Sequence, residues 1–124
     1  IAYVDGSPML DGGIADSIPL LRARSLGYTD NVVVLTRNKG YRKKEGKMRI
    51  AKAFYRKYPE LQKALSVRNI RYNQTMDLIE KLEAEGRITV IRPIRPIEVG
   101  RIEKDTTKLA ALYQEGYEVA EQYI

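Results

Sequence analysis

A carboxylate set directly before two glycines, Asp11-Gly12-Gly13, is the stretch of this chain best suited to chemistry. An aspartate at such a turn can take a proton from a hydroxyl as a general base. The glycines let the backbone turn sharply, with φ > 0 at no steric cost, and let a second backbone or a substrate come close. Asp-Gly is equally a common turn dipeptide, so on the residues alone Asp11 is a candidate. A second pair, Asp5-Gly6, lacks the extra glycine and reads as turn chemistry. The chain contains no histidine and no cysteine. That removes the Ser-His-Asp triad, imidazole bases, imidazole or thiolate metal sites and disulfides together.

The elements that must hold Asp11 follow from the flanking pattern. Residues 1–4 are apolar and partly β-branched, as a strand requires. Asp5-Gly6-Ser7-Pro8 is a turn, and Met9-Leu10 returns as the second arm of a hairpin that delivers Asp11 at its end. Ser17 is the cap candidate for a short helix over 19–26, with Pro19 in its first turn. Leu20, Ala23 and either Leu21 or Leu26 can face a sheet, and Gly27 ends the helix. Residues 31–36 hold three valines in a near-continuous apolar run, the pattern of a strand covered on both faces. Helix followed by such a strand is half of a crossover unit and implies parallel pairing.

Residues 37–49 are strongly basic: Arg37, Lys39, Arg42, Lys43, Lys44, Lys47 and Arg49 against Glu45 alone. Three uses fit this segment. It can be a solvated rim of an active site, a contact for an anionic membrane, or a single-strand nucleic-acid surface with Tyr41, Phe54, Tyr55 and Tyr58 for stacking. No nucleic-acid module is visible, and no nucleic-acid partner is expected. The whole chain carries 22 Lys+Arg against 16 Asp+Glu, a net charge of +6, which favours anionic partners without choosing among them.

Further on, 47–57 has helical spacing with Met48, Ala51, Tyr55 and Tyr58 on one stripe and Phe54 beside it. A second helical region spans 60–85, with a stripe of Leu61, Leu65, Tyr72, Met76 and Ile79 flanked by Leu78 and Leu82, and an irregularity expected at 67–70. These helices read as an insertion after the strand, a lid candidate. Residues 88–91 form another buried-type strand. Two prolines keep 92–97 out of a central sheet. Arg92, at the strand end, suits an anionic group or a nearby carboxylate. Asp105 or Thr106 caps a final helix to about 123, with Leu109, Leu112, Tyr113, Gly116, Ala120 and Tyr123 buried and Gly116 set close to a sheet. No apolar run approaches a membrane span.

The stretch Tyr3-Val4-Asp5-Gly6-Ser7-Pro8-Met9-Leu10-Asp11-Gly12-Gly13, with Pro19, Ala23 and Gly27 at their spacings and then Val32-Val33-Val34-Leu35-Thr36, resembles the second half of a patatin-like phospholipase domain of the bacterial kind. The basic segment from Thr36 to Arg42 and the tail with Gly100-Arg101 and Leu112-Tyr113-x-x-Gly116-Tyr117 are similar to the same subgroup. That resemblance implies a serine acyl hydrolase with a Ser-Asp dyad and no histidine. Asp11 would be the catalytic base and Gly12 and Gly13 the motif glycines. The serine elbow, Gly-x-Ser-x-Gly, and the glycine-rich oxyanion turn of the family are not among these residues. Ser17 stands where many members carry asparagine.

The expected fold is therefore α/β: three layers, α/β/α, with a partly parallel sheet that is incomplete in this piece. Residues 1–124 would be the C-terminal part of one hydrolase domain, with 37–86 as basic loop plus inserted helices. The expected substrate is an acyl lipid or other carboxylic ester, with no metal and no organic cofactor. Arg37, Lys39, Arg42, Lys43, Lys44 and Lys47 are the candidate contacts to an anionic surface. The expected location is cytoplasmic, with peripheral membrane contact. The isolated chain is expected to be inert and to self-associate through an unpaired strand edge. The alternative from another class is a non-catalytic basic α/β module that binds anionic phospholipid or a protein partner.

Overall fold

The computed structural model describes residues 1–44, 55–100 and 102–123. In chain order these hold β1 (Ala2–Val4), β2 (Ser7–Met9), a 3₁₀ turn (Gly12–Ile14), α1 (Leu20–Ser25), β3 (Val32–Val34), α2 (Pro59–Ala84), β4 (Thr89–Ile91) and α3 (Thr106–Glu121). The chain is thus mixed α and β. Among the described residues the strands form two pairs: β1 antiparallel to β2, and β3 parallel to β4. The chain divides into two compact units. One holds residues 1–27 and 42–80, the other 28–41 and 81–124.

In the first unit the hairpin is tighter than the sequence pattern predicts. Ser7 and Pro8 belong to β2, opposite Val4 and Tyr3. The turn is Asp5-Gly6 alone, with φ of 47° and 75°. Positive φ at both positions defines the turn whose twist matches two-residue hairpins, and Asp-Gly suits it. The Tyr58 hydroxyl, by hydrogen bond and then by charge, raises the Tyr3 phenol above its ordinary pKa.

The long helix α2 begins at Pro59, a residue suited to a first helical position because its missing N–H has no partner there anyway. It contains no glycine and no further proline, and it runs unbroken through 67–70, where the sequence suggested an irregularity. The local residues there, Val67-Arg68-Asn69-Ile70, are weak helix formers in part. The neighbouring turns carry them, since propagation is easy once a helix exists. Met76 and Ile79 are fully buried and Leu82 nearly so, as the apolar stripe predicts. Leu82 belongs to the second unit; among the described residues of the first, Leu20 is buried as well as Met76 and Ile79. The helix ends in a Schellman motif. Gly86 has φ 66°, its N–H reaches the Glu83 carbonyl at 3.0 Å, and the Arg87 N–H reaches Leu82 at 2.9 Å.

In the second unit β3 and β4 pair in register Val32–Thr89, Val33–Val90 and Val34–Ile91, so the expected parallel pairing is present. Coverage of β3 on both faces is not. Val33 is buried, whereas Val32 and Val34 are 64% and 71% exposed. Side chains alternate along a strand, and within this unit one face is covered. Asp105 caps α3 by accepting from Thr107 N–H at 2.9 Å and from Lys108 N–H. The buried stripe of α3 is displaced from the expected one. Val119 is its buried residue, while Leu109, Tyr113 and Tyr123 are exposed. Gly116 is not pressed against a sheet, for a Cβ there would meet nothing within 4 Å. The expected 47–57 helix lies largely outside the described residues. Of its stripe, Tyr55 and Tyr58 are half-buried, and Tyr55 to Lys57 form a turn.

Candidate active site

The hairpin delivers Asp11 to a 3₁₀ turn that begins one residue later. One Asp11 oxygen, Oδ1, accepts the Gly13 N–H at 2.8 Å. Backbone bonds from Ile14 to Asp11 and from Ala15 and Asp16 to Gly12 close the turn. The carboxylate is thereby oriented by its own backbone while the residue stays exposed. The two glycines serve differently from the sequence expectation, since neither has positive φ. At Gly13 space is tight: a Cβ would lie 3.2 Å from Asp11 Oδ1, closer than an ordinary contact, and 3.8 Å from Arg68 Nη2. Around Gly12 nothing lies within 4 Å of an added Cβ, so that side of the turn is open to an approaching group.

The Gly13 carbonyl accepts two donors, Ser17 Oγ at 2.8 Å and Arg68 Nε at 2.9 Å. Ser17 therefore does not cap α1, which starts at Leu20 behind Pro19 with no side-chain cap. Pro19 is the cap position, one residue ahead of the expected first turn. Asp16 Oδ1 instead accepts the Ile18 N–H at 3.2 Å.

Arg68 is the site residue that sequence reasoning missed. It lies 55 residues from Gly13 along the chain. The available signal was its position three residues after Leu65 and four before Tyr72, a cation on the apolar stripe of a helix. Beside the turn opens a cleft of about 340 Å³, within the usual size of ligand pockets. Ile14, Ile18 and Leu21 supply apolar wall on one side, and Arg68, Arg71 and Thr75 line the other.

The basic segment is less free than its composition suggests. Arg42 grips two carboxylates of α2: Nη2 lies 2.6 Å from Asp77 and 2.9 Å from Glu80, and Nη1 lies 3.1 Å from Glu80. The Glu80 hydrogen bond, then that of Asp77, pushes the Arg42 guanidinium further above its already high pKa, against the opposing effect of burial. The Lys43 backbone exchanges hydrogen bonds with the Asn73 side chain, at 2.8 and 3.0 Å, and the Lys44 carbonyl accepts from Asn69 at 2.7 Å. Lys43 Nζ sits 3.7 Å from the centre of the Tyr72 ring, a cation–π distance. Arg37 stacks over Tyr41 in the same manner at 5.0 Å. Of the six candidate surface contacts, Arg42 and Lys43 are thus turned to α2. Arg37, Lys39 and Lys44 are exposed, and Lys47 lies outside the described residues.

Two further serines are locally committed as well: Ser25 Oγ donates to the Arg22 carbonyl and Ser66 Oγ to that of Lys63. Arg92 pairs with Glu83, the carboxylate option among its expected partners. Among the described residues no group of three or more potential metal ligands is gathered, and no helix is long and apolar enough to cross a membrane.

A domain of unknown function, DUF6363, matches residues 58–124, more than half of the chain. The chain belongs to the DUF6363 family. Within the chain the DUF6363 region holds α2, β4 and α3 with Arg68 and Arg92, whereas the Asp11 turn precedes it. No curated protein and no solved structure matches the chain.

Proposed function

We propose that this chain supplies the general base of a serine acyl hydrolase of the patatin-like kind, acting on an acyl lipid or related ester. The observation that carries the proposal is the Asp11 turn. Its exposed carboxylate is oriented by the Gly13 N–H, with open space at Gly12 and a ligand-sized cleft beside it. Asp11 would accept the proton of a serine hydroxyl as that oxygen attacks the ester carbonyl, then return it to the leaving alkoxide. A positioned base contributes about 10²–10⁴-fold. The serine and the oxyanion donors would come from residues outside this chain, in an α/β/α sandwich whose sheet β3 and β4 would extend. Ser17, Ser25 and Ser66 each donate to a backbone carbonyl, which supports a nucleophile from elsewhere. Arg68 would be a positioning residue, acting through the Gly13 carbonyl.

The test is Asp11→Asn in the protein that carries this chain together with a serine elbow, with Asp5→Asn as control. Asp11→Asn should lose turnover of a chromogenic short-chain ester at unchanged Tm, and Asp5→Asn should keep it. Near wild-type turnover by Asp11→Asn would sink the assignment.

A further inference from the structure

Outside the Asp11 turn, Arg92 is the group whose surroundings ask for a ligand. It follows β4 directly, and its side chain is 9% exposed. One guanidinium nitrogen, Nη2, is paired with the Glu83 carboxylate. A second, Nη1, is buried and has no hydrogen-bond partner among the described residues. Buried donors are nearly always paired, and more so when they are charged. Arg92 also lines a cleft of about 90 Å³ whose walls include Leu35, Ile91, Pro93, Leu112 and Val119. All of these residues belong to the second unit. The cleft lies past the carboxyl ends of two parallel strands, where α/β sheets characteristically place ligands.

We propose that this cleft is a binding site for the neutral carbonyl of a small acyl group, as in an amide or an ester, the Arg92 guanidinium turning on binding so that Nη1 donates to the carbonyl oxygen. Charge decides for a neutral guest. Glu83 already balances Arg92, and Glu115 stands in the cleft wall. An anion would add an uncompensated negative charge among apolar side chains, which is costly. Size decides for a small one. The cleft, about 90 Å³, is well below the roughly 300–1,000 Å³ of pockets for drug-sized ligands, and suits a carbonyl with a short tail. The apolar walls decide for a hydrocarbon tail. The site is separate from the proposed base and stands whether or not that assignment holds.

The test uses the whole isotope-labelled chain and follows amide and arginine Nε–H resonances during titration with isobutyramide. Saturable shifts at Arg92, Leu112, Gly116 and Val119 are expected, with a Kd on the order of millimolar for so small a guest. Isobutyrate should bind at least tenfold more weakly. Gly116 lines the cleft and an added Cβ there meets nothing. Gly116→Leu should therefore fill the cleft, keep the helix and abolish the shifts. Methyl isobutyrate and N-acetylvaline amide, run in parallel, separate an ester source from a peptide source by which binds more tightly. No saturable shift with isobutyramide, equal or tighter binding of isobutyrate, or undiminished binding in folded Gly116→Leu would each overturn the proposal.

Discussion

At the scale of single residues, the two glycines after Asp11 are not equivalent. Gly13→Ala brings a Cβ to 3.2 Å from the carboxylate oxygen that the Gly13 N–H holds. The carboxylate must shift and the cap weakens. A cap of this kind is worth about 1 kcal/mol, so Tm should fall, and ester turnover should fall with it if Asp11 is the base. Gly12→Ala meets nothing and should leave Tm unchanged; thermal unfolding of the two variants side by side separates them. Arg68→Met removes one of the two donors on the Gly13 carbonyl. Its expected signature is a lower kcat at nearly constant KM, because the turn loosens while the methionine side chain keeps most of the wall that Arg68 gives the cleft. A KM increase with kcat unchanged would place Arg68 in substrate binding instead.

At the scale of elements, residues 42–44 are a strap laid along α2, held by Asn69, Asn73, Asp77 and Glu80 at near-helical spacing. Arg42→Met should lower the unfolding free energy by about 1 kcal/mol, as for a well-formed surface ion network. Part of that loss should appear in the wild type at high salt, where such pairs are screened. A denaturant titration at two ionic strengths checks both. The strap also marks where sequence reasoning stopped. The helix stripe, the parallel pairing, the Asp105 cap and the Gly27 stop were legible because each is set by local residue chemistry or a short period. The fate of Arg42 was not, since its carboxylates lie 35 and 38 residues away. Composition alone therefore overstated the free positive surface. The shift of the α3 stripe to Val119 has the same origin: several faces of that helix carry apolar residues, and tertiary packing selects one. Gly12 and Gly13 were legible as a turn, whereas their division of labour depends on where Arg68 and the carboxylate stand in space.

For the molecule as a whole, the exposed apolar surface is the prominent property. Val32 and Val34 lie on the open face of β3, and Tyr3, Val4 and Met9 are exposed on the hairpin. Such surface favours association, and two-stranded sheets leave backbone edges to pair. Sedimentation of the isolated chain should reveal self-association that falls on Val32→Lys with Val34→Thr, and a monodisperse wild-type monomer at high concentration would refute this. The net charge of +6 opposes aggregation in part, so association should strengthen as salt rises. If the nucleophile is supplied from elsewhere, the same isolated chain should not react with a fluorophosphonate probe, and stoichiometric labelling of any of its serines would refute that.

The two Asp-Gly pairs also differ in how they should age. Aspartate before glycine cyclises to a succinimide and reopens as isoaspartate, because glycine leaves its amide nitrogen open to attack on the side-chain carbonyl. In Asp11 that carboxylate is tied to the Gly13 N–H, which restrains its rotation toward the Gly12 nitrogen. Asp5 sits in an exposed turn with both residues at positive φ. On prolonged storage isoaspartate should accumulate at Asp5 before Asp11, and Gly13→Ala should narrow the gap, as peptide mapping would read directly. The turn that orients the proposed base would then also prolong its chemical lifetime.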